Sequence, residues 1–249
     1  MEFSYEILLA LFFISIVAGC IDSIAGGGGL ITLPVLLAVG MPPAAAIATN
    51  KLGSVAGSLS ASVHFIRIKQ VRLADIRLTM ATTFVGALLG GFALTRIDSS
   101  VLGYLIPVLL IGFALYFAFA PSVGSVDREG RISQSAYAVF VALAIGFYDG
   151  FFGPGTGTFF AISAVMLLGY NMIRATAQAK VLNFCSNLAA LLFFLAKGAI
   201  VFKVGLAMLC GQIIGGALGA RLVVRSGTRL IRVVMVCVAL AISIKMIVS

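Results

Sequence analysis

The stretch Asp22–Gly29 reads DSIAGGGG, and a second stretch, Asp149–Gly157, reads DGFFGPGTG. In both, an aspartate is followed by a glycine cluster and then by a short apolar segment, Leu30–Val39 or Thr158–Leu168. A helix of this length rises about 15–16 Å, roughly half the hydrocarbon thickness of a bilayer. Because glycine adopts conformations that interrupt a helix, each stretch predicts a break followed by a half-helix within a membrane.

The composition of the whole chain excludes a water-soluble domain. Of the 249 residues, 61% are hydrophobic and 10% are charged, and the mean hydropathy is +1.18. Soluble domains are about 45–50% apolar and about 25% charged. The sequence therefore predicts an all-α polytopic membrane protein with two half-helices and eight long transmembrane segments: Tyr5–Ile24, Ala44–Ile66, Leu78–Leu94, Val101–Ala120, Ala136–Phe152, Ala175–Leu195, Val204–Val224 and Leu230–Val248.

The two halves of the chain resemble each other in register. Asp149 lies 127 positions after Asp22, and Lys180 lies 129 positions after Lys51. The same offsets relate several glycines, namely Gly19 with Gly146, Gly86 with Gly215 and Gly90 with Gly219. This register predicts an internal duplication, with repeat 1 at residues 1–120, a linker loop at 121–135 and repeat 2 at 136–249.

The orientation of the repeats depends on whether the half-helices cross the membrane. If they cross, the copies form an inverted 5+5 arrangement; if they are re-entrant, the arrangement is a parallel 4+4. The inverted arrangement places three basic residues outside (Arg96, Lys197 and Lys203) and the following inside: Arg67, Lys69, Arg72, Arg77, Arg128, Arg131, Arg174, Arg221, Arg225, Arg229 and Arg232. Since cytoplasmic loops carry the excess of basic residues, the inverted arrangement is preferred.

The glycine clusters Gly26–Gly29 and Gly153–Gly157 are candidate substrate contacts. A helix start presents unpaired N–H groups and a partial positive charge, both of which attract anions. Transporters built from inverted repeats use paired broken helices in this way. The structural alternative is a tight turn whose glycines permit close packing.

Two lysines, Lys51 and Lys180, lie inside long apolar segments. A cation at the bilayer centre costs about 2.5–3.5 kcal/mol on insertion scales, so each must find a partner. At helical spacing, Ser54 shares a face with Lys51, and Asn183 and Asn187 share one with Lys180. Two interpretations follow: at least one lysine meets an anionic substrate, or each lysine pairs with a buried aspartate and holds the bundle together.

The aspartates Asp22 and Asp149 are the only acidic residues deep in apolar segments. A carboxylate balanced between desolvation and a nearby lysine can carry a coupling proton. The alternative is that each aspartate caps the half-helix that follows it or pairs with a lysine. Both roles, coupling and capping, remain open from the sequence.

Other classes of function lack the residues that they require. The single histidine, His64, rules out a Ser/His/Asp centre deep in the bundle and gives no metal site, and the four cysteines have no metal-ligand spacing. The sequence thus predicts no cofactor, no metal, no enzyme activity and no nucleic-acid partner. The oligomeric state stays open.

Three motifs resemble one family. GCIDSIAGGGGLITL at Gly19–Leu33, GMPPAAAIATNKL at Gly40–Leu52 and GFYDGFFGPGTG at Gly146–Gly157 are similar to the TauE/SafE (sulfite exporter) family, and most to its YfcA-like branch. The resemblance implies a plasma-membrane secondary carrier for small sulfur-containing or organic anions. Its motif positions are Gly26–Gly29, Asn50, Lys51, Asp149, Gly153, Gly155 and Lys180.

Residues and resemblance together predict a secondary transporter of a small anion, such as sulfite, a sulfonate or a carboxylate, with a midplane site between the repeats. The predicted substrate-binding residues are Gly26, Gly27, Gly28, Gly29, Asn50, Lys51, Ser54, Gly153, Gly155, Thr156, Lys180, Asn183 and Asn187. The partners are the lipid bilayer, the anion and a coupling proton or cation. An anion channel and a cation carrier based on the two aspartates are the alternatives.

Overall fold

A computed structural model describes residues 3–97, 101 and 126–248, and their side chains as far as residue 225. These residues form helices and connecting turns without a strand. The elements are α1 (Tyr5–Ala25), α2 (Gly28–Ala38), α3 (Pro43–Arg67), a 3₁₀ turn (Leu73–Ile76), α4 (Arg77–Leu94), α5 (134–151), α6 (Thr156–Leu168), α7 (Met172–Ala196) and α8 (Phe202–Val248). The predicted segment Val101–Ala120 lies outside the described residues, apart from Val101.

The helix ends follow from local sequence. The side chain of Ser4 accepts a hydrogen bond from the Ile7 N–H at 3.4 Å and begins α1, and Asn171 caps α7 in the same way through Arg174. Gly26, with φ of 77°, ends α1 in the left-handed region that glycine adopts without steric cost. The short helices α2 and α6 therefore begin at the glycine clusters, as the sequence predicts.

Helix α5 contains a local irregularity. It is α-helical over Gln134–Ala136, π-helical over Tyr137–Ala142 and α-helical again over Leu143–Phe151. The buried Tyr137 hydroxyl donates to the carbonyl of Phe160 at 3.3 Å and lies 2.8 Å from the Ser163 hydroxyl oxygen. These contacts tie the start of α5 to α6.

The C-terminal region differs from the sequence prediction. The two helices expected at Val204–Val224 and Leu230–Val248 are one continuous helix, α8. The intervening residues, 225–229, contain no proline, and their one glycine costs only about 1 kcal/mol in a helix. A single glycine among polar and basic residues therefore does not end the helix.

Within the described residues, four helices have the length and composition of a membrane crossing, and the prediction of eight long segments is not confirmed by this count. They are Tyr5–Ala25, Leu73–Leu94, Met172–Ala196 and Phe202–Arg225. Helix α3 is also long, at 25 residues, but it carries Asn50, Lys51 and several serines. These polar residues lower its hydropathy, and many of them are buried against other helices.

The helix directions can be read from the core clusters. One cluster joins the first half of α3, at Ile47, to the last turns of α7, at Phe194. Another joins the end of α3, at Phe65, to the start of α7, at Ala177. Helices α3 and α7 are therefore antiparallel. In the same way, Gly28 at the start of α2 packs against Ala18 and Asp22, so α2 turns back along α1.

Glycines bring two pairs of helices into backbone contact. Gly86 and Gly90 of α4 pack against the carbonyl oxygens of Leu143 and Phe147 in α5. Gly215 and Gly219 of α8 pack against the carbonyl oxygens of Ile16 and Cys20 in α1. In the predicted register these four contacts are two equivalent pairs, because Leu143 and Phe147 lie 127 positions after Ile16 and Cys20. Small residues at such interfaces allow helices to approach closely.

Candidate functional site

A small polar cavity of about 10 Å³ lies where the two half-helices begin. This volume holds roughly one water molecule. Its lining comes from α1, α2, α3, α5, α6 and α7 and consists of Asp22, Gly26, Gly29, Asn50, Lys51, Ser54, Asp149, Gly153, Gly157, Asn183 and Asn187. Ten of these eleven residues are among the residues predicted from the sequence for substrate binding, coupling or capping; Gly157 lies in the predicted second cluster.

The two glycine clusters meet at this cavity. A Cβ atom added to Gly26 would fall against the backbone of Gly157 and Thr158, and one added to Gly29 would lie 3.1 Å from the Cα of Pro154. The Thr158 hydroxyl donates to the Ala25 carbonyl across the same contact. Glycine is thus required at Gly26 by both its positive φ and its neighbours.

Each buried lysine forms an ion pair with the aspartate of the other predicted repeat. Lys51 Nζ lies 2.9 Å from Asp149 Oδ1, and Lys180 Nζ lies 3.0 Å from Asp22 Oδ2. Both lysine side chains are 1% exposed. Of the two interpretations that the sequence left open for the lysines, the described structure contains the ion-paired one. Contact of a lysine with an anion remains a proposal.

Asparagine side chains extend the polar network. Lys51 Nζ donates to Asn187 Oδ1 at 3.0 Å, and Asn187 Nδ2 donates to Asn183 Oδ1 at 3.0 Å. Asn50 Oδ1 accepts a hydrogen bond from the Thr32 hydroxyl at 2.6 Å. These hydrogen bonds join α2 to α3 and α3 to α7 beside the cavity.

The two aspartates have different surroundings. Asp22 Oδ1 accepts the Gly28 N–H at 3.2 Å, which caps the start of α2, while its Oδ2 accepts from Lys180. Asp149 Oδ1 accepts from both Lys51 and the Thr156 hydroxyl, the latter at 2.8 Å. Asp149 Oδ2 is buried and has no hydrogen-bond partner among the described residues.

Four predicted binding residues, together with Lys180, do not line the cavity. Gly27 and Gly28 form the start of α2 behind it, and Gly155, with φ of 82°, precedes the first residue of α6, Thr156. The buried Thr156 hydroxyl also donates to the Gly153 carbonyl at 2.6 Å. The Lys180 ammonium donates to the Asp22 backbone carbonyl as well as to its carboxylate. These residues shape the helix starts and hold the charged side chains in place.

Sequence reasoning missed several polar residues that form contacts between distant parts of the chain. Thr32 and Thr158 bond across helices, and the Tyr148 hydroxyl donates to the Pro154 carbonyl at the tip of the second cluster. Gln212, on α8, is buried against Gly19 and Gly57. These contacts join helices distant in sequence, and single threonines or tyrosines in apolar segments have no distinguishing spacing.

The polar groups around the cavity determine what kind of ligand the site can bind. The two half-helix starts, the Lys51 ammonium and several amide side chains converge on one small polar space. Backbone N–H groups at helix starts and lysines bind oxyanions in proteins. With both lysines paired and room for roughly one water, the described conformation is closed to a larger ligand.

Comparisons with known proteins agree with the sequence resemblance. A family described as sulfite exporter TauE/SafE matches residues 11–246. The chain is 44% identical to a "Probable membrane transporter protein" of Haemophilus influenzae over 99% of this chain and 97% of that protein. It is 45% identical to "Probable membrane transporter protein YfcA" of Escherichia coli K12 over 96% of this chain and 89% of that protein. It is 42% identical to "Probable membrane transporter protein ORF9" of a Sinorhizobium species over 98% of this chain and 94% of that protein.

No solved structure matches the chain. The family model covers nearly the whole sequence, including both glycine clusters and both lysines. The family predicted from the three motifs is therefore confirmed, and with it a role in membrane transport. The chain belongs to the sulfite exporter TauE/SafE family of membrane transporters.

Proposed function

We propose that this protein is a secondary transporter in the plasma membrane for a small anion, such as sulfite, a sulfonate or another small organic anion. The observation that carries the proposal is the convergence of two half-helix starts and the Lys51 ammonium on one small polar cavity. Such helix starts favour negative charge. The names of the relatives support transport, and the family description supports a sulfur oxyanion as the first candidate.

We further propose that the site lies between two inverted repeats, residues 1–120 and 136–249, joined by the linker 121–135. The crossed ion pairs support this, because Lys51 and Lys180 exchange equivalent partners, Asp149 and Asp22. The antiparallel contact of α3 and α7 supports inversion, since a two-fold axis that relates antiparallel helices is perpendicular to them.

The positions of the loops support the same arrangement. Lys69 and Arg72, after α3, and Arg174, at the start of α7, line one cavity of about 300 Å³. The inverted 5+5 arrangement puts these three residues on one side of the membrane, whereas the parallel 4+4 arrangement puts Arg174 on the other. Because cytoplasmic loops carry an excess of basic residues, these side chains support a cytoplasmic location for this end.

Alternating access follows from the proposed site. The central cavity is too small for an oxyanion in the described conformation, so substrate entry requires the half-helix tips to separate. Rocking of one repeat against the other would open the cavity first to one side and then to the other. The crossed ion pairs join the repeats, so this movement would have to open at least the Lys51–Asp149 pair.

The proposal can be tested with purified protein in proteoliposomes. Sulfite, thiosulfate, methanesulfonate and acetate are first screened for thermal stabilisation, since a ligand that binds only the folded state raises its stability. Counterflow is then measured with the best ligand. We expect Lys51→Ala and Lys180→Ala to weaken binding, while the control Lys197→Ala, at the exposed end of α7, leaves it unchanged.

A cation carrier is the second candidate. It is favoured by the buried, unpartnered Asp149 Oδ2, which would suit a cation ligand. The lysine variants separate the two functions, because a cation carrier keeps its affinity when the ammonium groups are removed. An anion channel is the other alternative. Saturable uptake that is stimulated by substrate on the opposite side of the membrane would contradict it.

A further inference from the structure

The two buried aspartates occupy equivalent positions in the predicted repeats but are not equally satisfied. Both carboxylate oxygens of Asp22 have partners, the Gly28 N–H and the Lys180 ammonium. In Asp149, one oxygen accepts both available hydrogen bonds, and Oδ2 has none among the described residues. The side chain of Asp22 is 17% exposed and that of Asp149 is 2% exposed.

This difference matters when a lysine is drawn away. Asp22 would keep a backbone hydrogen bond and contact with water after losing Lys180. Asp149 would keep only the Thr156 hydroxyl, and its carboxylate would be a buried charge without a countercharge. An isolated buried charge is so costly that the group changes its protonation state instead.

Lys51 is able to leave Asp149. Its ammonium already has a second acceptor in Asn187 Oδ1, and Lys51 lines the central cavity. An anion bound there would compete with the Asp149 carboxylate for Lys51. The other charged groups of the cavity region, Asp22 and Lys180, neutralise each other and supply no further countercharge to Asp149.

We infer that Asp149 is the proton-coupling residue and that it binds one proton for each anion carried, while Asp22 caps α2 and stays ionised. As the anion pairs with Lys51, the ammonium releases Asp149, and Oδ2 gains a proton from the water that enters with the substrate. One negative charge and one positive charge are added together, so the loaded site keeps its net charge. This inference rests on the proposed anion transport.

Coupling of this kind has a physical consequence. An uncoupled anion meets about 2.3 kcal/mol per charge for each 100 mV of membrane potential. A monovalent anion that moves with one proton transfers no net charge, so its distribution follows the pH gradient and not the potential. The two forms of transport can therefore be distinguished by measurement.

The carboxyl group that takes up the proton can be identified without any substrate. Infrared difference spectra of the reconstituted protein are recorded during an acid titration, and the carbonyl band of protonated carboxyl groups is followed. We expect one buried band in the wild type and in Asp22→Asn, and its loss in Asp149→Asn. The band should appear at higher pH in Lys51→Gln, which removes the countercharge.

Several outcomes of the titration would overturn the assignment. They are a band that persists in Asp149→Asn, a band that disappears in Asp22→Asn, and the absence of a band from both the wild type and Lys51→Gln. Lys51→Gln keeps the test valid if Asp149→Asn does not fold, because it reports on the same carboxyl group in an intact side chain. A band that is unchanged in Lys51→Gln would also contradict the inference.

The coupling itself is tested with methanesulfonate, a permanently ionised probe. An inside-alkaline gradient of about one pH unit should concentrate it about tenfold in wild-type proteoliposomes, with the potential clamped at zero. Asp149→Asn should lower the accumulation ratio to about one at whatever rate it still transports, and Asp22→Asn should retain the wild-type ratio even at a reduced rate. Accumulation by Asp149→Asn equal to that of the wild type would overturn the inference. Absence of any methanesulfonate binding or flux in the wild type would instead count against the proposed function for sulfonates, and the titration would still decide the role of Asp149.

Discussion

At the scale of single residues, the crossed pairs place two lysines and two aspartates in a low-dielectric interior. A buried ion pair contributes little net stability, but removal of one partner leaves an uncompensated charge. The Lys51–Asp149 pair is the more buried of the two, and its loss leaves fewer alternative partners. The energetic effect of a substitution should therefore depend on which partner remains.

We predict that Lys51→Met destabilises the protein by about 3–5 kcal/mol, the range found when one partner of a buried pair is removed. Lys51→Met combined with Asp149→Leu should recover most of this loss, because no charge remains unpaired. The measurement is thermal unfolding in detergent for both single variants and the double variant. Equal losses in the single and double variants would contradict the prediction.

The equivalent variant in the second pair provides a matched comparison. Lys180→Met should lower the free energy of unfolding less than Lys51→Met does, since Asp22 retains the hydrogen bond from the Gly28 N–H and partial exposure to water. The exposed pair Arg72–Asp75 serves as a control: Asp75→Asn should change stability by less than about 1 kcal/mol.

At the scale of elements, the half-helices α2 and α6 are short because glycines stop the chain where the two clusters meet. The Gly26 backbone contacts Gly157 and Thr158 with no room for a side chain. Gly40, after α2, has a similar positive φ, 84° against 77°, but a Cβ there would meet nothing within 4 Å. A comparison of substitutions at the two positions therefore distinguishes the effect of backbone strain from the effect of close packing.

We predict that Gly26→Ala is more damaging than Gly40→Ala. Both substitutions place an alanine in the left-handed region, at a cost of about 1–2 kcal/mol. Only Gly26→Ala also forces the half-helix tips apart, so it alone should abolish counterflow and lower the unfolding temperature well beyond the Gly40→Ala effect. Similar behaviour of the two variants would show that the contact between the tips has no special role.

A comparison of the observed helices with the sequence patterns shows which structural features can be predicted from sequence and which cannot. The breaks before α2 and α6 were predictable because an aspartate, a glycine cluster and a short apolar segment occur together twice. The residues that share a face of α7, such as Lys180 and Asn187, followed from helical spacing. The partner of each lysine did not, because spacing relates residues along one helix and says nothing about which helix lies opposite. The continuity of α8 was missed because basic residues at 225–229 resemble a loop between spans.

At the scale of the whole molecule, helices of one predicted repeat pack against helices of the other. Helix α1 packs against α8, and α4 packs against α5. Gly90 contacts Phe147, and its equivalent, Gly219, contacts Cys20. A repeat expressed alone would leave these small-residue faces uncovered. The interlocked halves are consistent with a site whose two sides must move relative to each other for substrate to enter.

Gly86→Val tests the interlocking of the halves. A side chain at Gly86 would strike the Leu143 carbonyl, so the substitution should separate α4 from α5 and lower the unfolding temperature. The control is Val85→Ala on the same helix, where the side chain is 49% exposed and contributes little to packing. A stable Gly86→Val variant with normal counterflow would argue that this interface is dispensable.

The inverted arrangement makes a prediction about membrane sidedness that involves the loops at both ends of the molecule. In a variant whose four native cysteines are replaced by alanine, single cysteines are introduced as Lys69→Cys, Arg174→Cys and Lys197→Cys. Because α3 and α7 are antiparallel, Lys69 and Arg174 lie at one end of the bundle and Lys197 at the other. An impermeant maleimide should label position 197 in intact cells, and positions 69 and 174 only after permeabilisation. Labelling of position 174 but not 69 in intact cells would instead require parallel repeats and would remove the shared midplane site from the proposed mechanism.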